Sequence, residues 1–145
     1  MSLERTIYIV KPEAFDRRAE IKEYIEQQEN FTVTECRTHT MVSADVEQLY
    51  GDDLGTELLD AAKQHLVGKE VEVCVVRGEN AVEQFLDLAG RHFDNRQCEP
   101  HTIRRRFGQA ITLKYGNVTY YLNAIHKTTG SEVQKALAWF EKLKK

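Results

Sequence analysis

The sequence has 145 residues, of which 41% are hydrophobic and 30% are charged, and its formal net charge is −3. This length and balance are typical of one globular domain that buries a core without disulfides or metals, and they exclude a fibrous or largely disordered chain. The slightly acidic balance argues against a general nucleic-acid-binding protein but leaves room for a local basic site for phosphates. We therefore interpret residues 1–145 as a single domain.

Apolar runs and cysteines set the expected environment. The longest apolar runs, Ile7–Val10 and Val73–Val76, are far shorter than the roughly 18 to 20 residues that span a bilayer, and neither resembles a signal-peptide core. The three cysteines, Cys36, Cys74 and Cys98, include no C-x-x-C pair, so their spacing indicates neither a disulfide framework nor a zinc site. We expect a protein of the reducing cytoplasm with no membrane association.

The first half of the chain predicts alternating strands and helices. An apolar run that ends at Lys11-Pro12 indicates a strand buried on both faces. Apolar residues at helical spacing, and a segment rich in threonine and valine, define the elements that follow. The predicted order is a strand at Arg5–Val10, a helix at Arg18–Gln28, a strand at Phe31–Met41 and short helices at Ser43–Tyr50 and Leu54–Leu66.

The middle of the chain predicts one more strand and helix. Valines alternate with other residues over positions 71–75, as in a strand. Asn80 and Glu83 have the spacing of a capping box, which predicts a helix that begins there and ends at Gly90. An irregular polar stretch follows and leads into the basic segment Thr102–Phe107.

The last part of the chain predicts a β-hairpin and a final helix. Ile111–Tyr115 and Val118–Leu122 both alternate, and Gly116-Asn117 between them is a two-residue turn signal. The apolar face of this hairpin needs cover from a partner subunit or from its own domain. A second capping-box spacing at Ser131 predicts a helix through Phe140. The order indicates an α+β sandwich, with helices over a mainly antiparallel sheet.

Several common catalytic motifs are missing from the sequence. It has no G-x-x-x-x-G-K-[ST], G-x-G-x-x-G, G-x-S-x-G or H-E-x-x-H, which argues against P-loop, Rossmann, α/β-hydrolase and zinc-peptidase sites. Three segments remain: Lys11 at a strand end, the run Arg104-Arg105-Arg106, and His126 just after the hairpin. Each alone fits an ordinary strand terminus, basic edge or surface histidine, so only their joint occurrence indicates a site.

Together these segments resemble the nucleoside diphosphate kinase family. RTIYIVKPE at residues 5–13 resembles the family's opening motif, TIR at residues 102–104 its T-I-R segment, and NAIH at residues 123–126 its N-x-x-H active-site motif. The similarity extends at lower quality from Glu4 to Phe140. It implies a ferredoxin-like sandwich with a four-stranded antiparallel sheet, here with an inserted β-hairpin near residues 111–122.

The resemblance also implies an activity. It predicts transfer of the γ-phosphate of ATP to nucleoside diphosphates by a ping-pong mechanism through a phosphohistidine, in homo-oligomers built from dimers. A histidine near its ordinary pKa is largely neutral at pH 7, so one ring nitrogen can attack phosphorus without a separate base. Phosphoryl transfer mainly needs cations and donors around the phosphate oxygens. Magnesium held mainly by the nucleotide phosphates needs no protein ligand, so we predict none.

The resemblance assigns roles to six residues. His126 is the predicted nucleophile. Lys11, Tyr50 and Arg104 are expected on the phosphates, and Asn123 on the sugar or a phosphate oxygen. Leu58 falls where the family places its base-stacking phenylalanine.

Departures from the family pattern leave an alternative open. The family's second phosphate-clamping arginine falls at Leu86 in an ungapped count, and Arg91, Arg96, Arg105 and Arg106 are candidates to replace it. The family glutamate that orients the histidine falls near Lys135. The alternative is a catalytically weakened nucleotide-binding or scaffold module with the same fold.

Overall fold

The computed structural model describes residues 3–50 and 55–143 of the chain. Within these ranges the strands are β1 (Leu3–Val10), β2 (Thr32–Thr40), β3 (Glu70–Glu79), β4 (Thr112–Tyr115), β5 (Val118–Tyr121) and β6 (Ile125–Lys127). The α-helices are α1 (Arg18–Glu26), α2 (Ser43–Tyr50), α3 (Thr56–Leu66), α4 (Ala81–Ala89), α5 (Ile103–Phe107) and α6 (Val133–Leu143). The predicted start of α3 at Leu54 lies outside the described residues.

Four strands form an antiparallel sheet in the order β2–β3–β1–β6, which confirms the expected ferredoxin-like α+β fold. Helices cover both faces of this sheet. Tyr8 and Val10 face α1, α4 and α5, whereas Ile7 and Ile9 face α2, α3 and α6. Because both faces are buried here, β1 and β3 each contain a continuous apolar run, Ile7–Val10 and Val73–Val76. The Phe85 ring of α4 stacks on Tyr8 at 5.4 Å between centroids.

Strand β6 closes the sheet and is the main element that the sequence pattern does not reveal. It has three residues, and Ile9 pairs with His126 in the register between β1 and β6. The backbone N–H of Lys11 also donates to the Ala124 carbonyl at 2.8 Å. These pairings place the end of β1 beside the segment that carries His126.

The predicted hairpin is present as a separate two-stranded sheet of β4 and β5. Gly116 has φ +61, the left-handed conformation that its tight turn requires. The inner face of the hairpin packs on α3 of the same chain, where the His65 ring lies 4.5 Å from the Tyr120 ring between centroids. Much of its apolar face is therefore covered by its own domain, although Ile111 remains exposed.

The predicted capping box at the start of α4 is wrong. Asn80 has φ 50 and its side chain makes no capping hydrogen bond. The Glu4 carboxylate of β1 accepts a hydrogen bond from the Val82 backbone N–H at 3.2 Å instead, so a residue distant in sequence satisfies a free donor at this helix terminus.

Among the described residues, no helix is both long and apolar enough to cross a bilayer.

Candidate active site

A cavity of about 280 Å³ opens where β1 ends and β6 begins. Side chains from α2, α3, the hairpin and α6 form its other walls. All six residues predicted from the sequence line it: Lys11, Tyr50, Leu58, Arg104, Asn123 and His126. The fold therefore brings together positions that are up to 115 residues apart in the chain.

His126 lies on β6, and its backbone is fixed by pairing with Ile9 of β1. The Tyr50 ring lies against the imidazole, with 4.3 Å between the ring centroids. Burial lowers the pKa of His126 to about 3, and the nearby cations Arg104 and Lys11 lower it further in the same direction. The imidazole is therefore neutral at physiological pH, and one of its ring nitrogens carries a free lone pair.

Lys11 places an ammonium group at the floor of the cavity. Its Nζ donates to Asn123 Oδ1 at 3.0 Å and lies 4.3 Å from the centre of the Tyr120 ring. Burial lowers its pKa to about 8, with Glu13 opposing this change and Arg104 adding to it. Lys11 is thus mostly charged at neutral pH but close to losing its proton.

Glu13 is a site residue whose role the sequence analysis missed. Its carboxylate lies 3.5 Å from Lys11 Nζ and accepts a hydrogen bond from the Ala124 backbone N–H at 3.2 Å. Ala124 has φ +75, an uncommon conformation for a non-glycine residue, and the Glu13 contact helps to hold it. Burial alone would raise the pKa of Glu13, but Lys11 and His65 lower it to about 2. Glu13 is therefore ionised and positions Lys11 and the turn before His126.

His65 links this carboxylate to the hairpin. Its Nε2 lies 2.8 Å from Glu13 Oε1, and its Nδ1 lies 3.0 Å from Tyr115 Oη. If Nε2 carries the proton, it donates to the carboxylate, and Nδ1 accepts from the tyrosine hydroxyl. In the sequence, a role for Glu13 was indicated by its position directly after Lys11-Pro12. The partners of Glu13 are His65 and Ala124, which belong to distant parts of the chain.

The backbone of Arg104 lies in α5, a helix that Thr102 caps, and its side chain is held by hydrogen bonds to backbone carbonyls. Thr102 Oγ1 accepts from the Arg105 backbone N–H at 3.2 Å, which starts this short helix. The Arg104 guanidinium donates to the Ile125 carbonyl at 3.1 Å and to the His92 carbonyl at 3.0 Å. Burial lowers its pKa, yet an arginine stays charged. It fixes the β6 backbone and adds positive charge to the cavity wall.

None of the four arginines considered as replacements for the family's clamp lines the cavity. Their partners lie elsewhere: Arg91 pairs with Glu83 and Asp87, Arg96 with Asp94, Arg105 with the Cys98 carbonyl, and Arg106 with the Tyr24 ring. Leu86 is buried in α4. Two further cations, Lys127 and Lys135, line the cavity. Burial is the main cause that lowers the pKa of Lys127 to about 8, and the positive charge of Arg104 adds to this change.

Two apolar side chains stand on the cavity wall. Leu58 is 45% exposed and Phe93 is 70% exposed, which is unusual for a phenylalanine in a folded domain. The Phe93 backbone carbonyl also accepts a hydrogen bond from Asn123 Nδ2 at 3.0 Å, which fixes the Phe93 backbone beside the site. The combination offers an apolar surface next to a cluster of cations.

Comparisons with known proteins show the family to which the chain belongs. The family model for nucleoside diphosphate kinase matches residues 4–143. A nucleoside diphosphate kinase from Bordetella petrii is 30% identical over 134 residues, covering 91% of this chain and 87% of that protein. One from Glaesserella parasuis is 25% identical over 95% of this chain and 94% of that protein.

Solved structures show the same fold. The Aquifex aeolicus nucleoside diphosphate kinase has a TM-score of 0.76 at 20% identity, covering 96% of this chain and 95% of that one. The Borrelia burgdorferi enzyme with bound vanadate and ADP, a transition-state mimic, has a TM-score of 0.77 at 21% identity, covering 94% of this chain and 85% of that one. Because the family model matches nearly the whole length of the chain, the chain belongs to the nucleoside diphosphate kinase family of phosphotransferases.

Proposed function

We propose that the protein transfers the γ-phosphate of ATP to nucleoside diphosphates by a ping-pong mechanism, with His126 as the nucleophile. The observation that carries this proposal is a neutral imidazole facing a cavity whose wall also holds Lys11 and Arg104. A ring nitrogen of His126 forms a bond to the γ-phosphorus, and the bond from that phosphorus to the bridging oxygen breaks. The nucleoside diphosphate leaves, another enters, and the reverse step transfers the phosphoryl group to it.

The surrounding side chains fit the charge that this reaction moves. Lys11 and Arg104 offer cations to the phosphate oxygens, which carry the negative charge of the transition state. Burial raises the pKa of Tyr50, so its hydroxyl stays protonated and can donate a hydrogen bond. Lys11 and the Phe93 carbonyl hold the Asn123 amide at the cavity, which supports a contact between this amide and a sugar or phosphate oxygen.

Magnesium fits this site as a companion of the nucleotide. Among the described residues that line the cavity, Glu132 is the only carboxylate, while several cations face the same space. Such a donor set does not form a protein cage for Mg²⁺, which agrees with an ion held mainly by nucleotide phosphates. When bound, the ion would neutralise phosphate charge.

The decisive experiment is incubation with γ-labelled ATP. We expect an acid-labile, base-stable phosphoryl group on the protein, and parallel double-reciprocal lines in steady-state kinetics, because one site serves donor and acceptor in turn. A folded protein that binds nucleotides without acquiring the label would instead be the weakened nucleotide-binding or scaffold module.

The pH dependence of phosphoenzyme formation should reflect the unusual environment of the site. The rate should fall as the pH rises through about 8, because Lys11 loses its positive charge there. An ordinary histidine becomes protonated near about pH 6.5. The rate should not decline there, because His126 becomes protonated only near pH 3. Rapid-quench measurements with magnesium nucleotides between about pH 5 and 9 test both limbs.

A variant tests whether the alkaline decline in rate comes from the titration of Lys11 or of another group. Glu13→Gln removes the carboxylate that raises the pKa of Lys11, so the alkaline decline should move to lower pH. The exposed Glu20→Gln is the matched control and should leave the profile unchanged. An alkaline limb that does not move in Glu13→Gln would show that another group titrates.

We propose that the nucleobase lies between Leu58 and Phe93. Stacking of a base on an aromatic ring contributes roughly 1 to 3 kcal/mol. Phe93→Ala should therefore weaken the binding of all nucleoside diphosphates by about 5- to 150-fold, and Leu58→Phe should tighten it for all of them. Titration calorimetry with purine and pyrimidine nucleotides measures both effects.

The control for Leu58→Phe is Val67→Phe, an exposed apolar position just after α3 that does not line the cavity. It should leave every affinity unchanged. Unchanged affinities in both Phe93→Ala and Leu58→Phe would place the base elsewhere in the cavity. A change for one base alone would indicate a base-reading contact.

We also propose a homo-oligomer built from dimers, as the family resemblance implies, and a cytoplasmic location. The three cysteines are free thiols, which agrees with a reducing compartment.

A further inference from the structure

Two of the free cysteines face each other across the sheet, away from the nucleotide cavity. Cys36 of β2 and Cys74 of β3 are directly opposite in the antiparallel register. Their Sγ atoms are 2.6 Å apart. Cys36 is exposed, whereas Cys74 is fully buried. The sheet therefore holds a reachable thiol against an unreachable one.

We propose that Cys36 and Cys74 form a site of reversible oxidation, at which a peroxide converts the two thiols into a disulfide between β2 and β3. This proposal is independent of phosphoryl transfer. A disulfide needs the sulfurs about 2.05 Å apart, so they must approach by only about 0.5 Å from their present positions. Direct opposition on neighbouring strands also gives Cα separations within the range that disulfides accept.

The environment assigns different roles to the two sulfurs. A hydrogen bond from the Cys74 thiol is the main factor that lowers the pKa of Cys36, which favours the nucleophilic thiolate at the exposed position. Burial raises the pKa of Cys74 well above its usual range. Cys36 is therefore the thiol that meets the oxidant, and Cys74 is the resolving thiol.

The two steps balance in atoms and electrons. The Cys36 thiolate attacks one oxygen of hydrogen peroxide, whose O–O bond breaks, giving a sulfenic acid and hydroxide. The Cys74 sulfur then attacks the Cys36 sulfur and loses its proton, and the sulfenic oxygen leaves as hydroxide. The two hydroxides take up the two thiol protons, so two thiols and one peroxide give one disulfide and two waters.

A metal site is the competing use of this cluster. Glu72 Oε1 lies 3.3 Å from Cys74 Sγ, and the three possible ligand atoms fall within 4.8 Å of one another. Two thiolates on a tetrahedral zinc ion at about 2.3 Å would be about 3.8 Å apart, so metal binding would require the sulfurs to separate. Glu72 is also 3.9 Å from the Arg18 guanidinium. The geometry favours the disulfide.

The cross-link would close residues 36–74 into one loop. That loop carries α2 and α3, which supply Tyr50 and Leu58 to the cavity wall. A disulfide stabilises mainly by restricting the unfolded chain, and the two strands are already paired in this register. We therefore expect a higher midpoint of thermal unfolding with little change in nucleotide affinity.

The test treats the native full chain with hydrogen peroxide, blocks remaining thiols with an alkylating agent, and digests without reductant before mass spectrometry. We expect a cross-linked peptide pair containing Cys36 and Cys74, with Cys98 alkylated. Thermal unfolding of the oxidised protein should shift upward, and dithiothreitol should reverse the shift. Cys98→Ser should behave like the wild type.

Two further variants keep the test sharp. The exposed Cys36→Ser should lose the cross-link and the shift in the unfolding midpoint, and Cys74→Ser should leave a Cys36 sulfenic acid that dimedone traps. The proposal is overturned by wild-type Cys36 advancing to sulfinic acid without a cross-link, by cross-links only between chains, or by a bound zinc ion that both thiols and Glu72 retain against peroxide.

Discussion

Replacing His126 with alanine should abolish both phosphoenzyme formation and kinase turnover. The proposed mechanism stores the phosphoryl group on this ring, and the described cavity wall contains no other histidine. Removal of the covalent nucleophile from another enzyme lowers turnover on the order of 10⁶-fold. The measurements are labelling from γ-labelled ATP and the rate of nucleoside triphosphate formation.

The matched control is His101→Ala. The His101 side chain is exposed, and only its carbonyl is used by the Tyr24 hydroxyl, at 2.6 Å. This variant should label and turn over like the wild type. Acid-labile, base-stable label in a folded His126→Ala protein would refute the assignment of the nucleophile.

Lys11→Met should lower turnover by about 10²- to 10³-fold, the usual effect of removing one preorganised donor from a transition state. Methionine retains most of the apolar stem that packs beside Tyr120 but removes the cation that we propose lies next to the transferring phosphoryl group. Single-turnover labelling should slow by the same factor. The exposed Lys114→Met of the hairpin is the control and should leave the rate unchanged.

Stability must be separated from chemistry in this variant. Lys11→Met leaves the buried Glu13 carboxylate without its nearest cation, which destabilises the fold. The double variant with Glu13→Gln removes that unpaired charge and should recover thermal stability but not turnover. Recovery of turnover in the double variant would show that Lys11 acts only through folding, and the charge would then come from Arg104 or Lys127.

Much of the fold could be predicted because its elements have clear local signals. The Ser43–Tyr50 helix and the turn at Gly116-Asn117 both occur where the sequence indicated them. Strand β6 could not be predicted from its own residues, since three residues show no period and its pairing partner is β1. The predicted bounds of α4 are confirmed, with Asn80 and Gly90 at its ends, but its capping group was predicted wrongly, because that group, Glu4, comes from a strand distant in sequence.

The candidate site divides in the same way. Motif resemblance placed six residues, and the structure brings all six to one cavity. Glu13 and Lys127 were not assigned, because their roles depend on partners contributed by distant parts of the chain. Burial also changed the expected chemistry. The sequence predicted a histidine near its ordinary pKa, whereas the enclosed site lowers that pKa to about 3.

The short pairing of β6 with β1 has a consequence for how the protein matures. It joins Tyr8 with Lys127, so most of the chain lies in the loop that this pairing closes. Loop-closure entropy disfavours such distant contacts until nearer ones have formed. We therefore expect the sheet edge that carries His126 to assemble late. A partly folded chain without this pairing should then lack the cavity in which we propose that ATP transfers its phosphate.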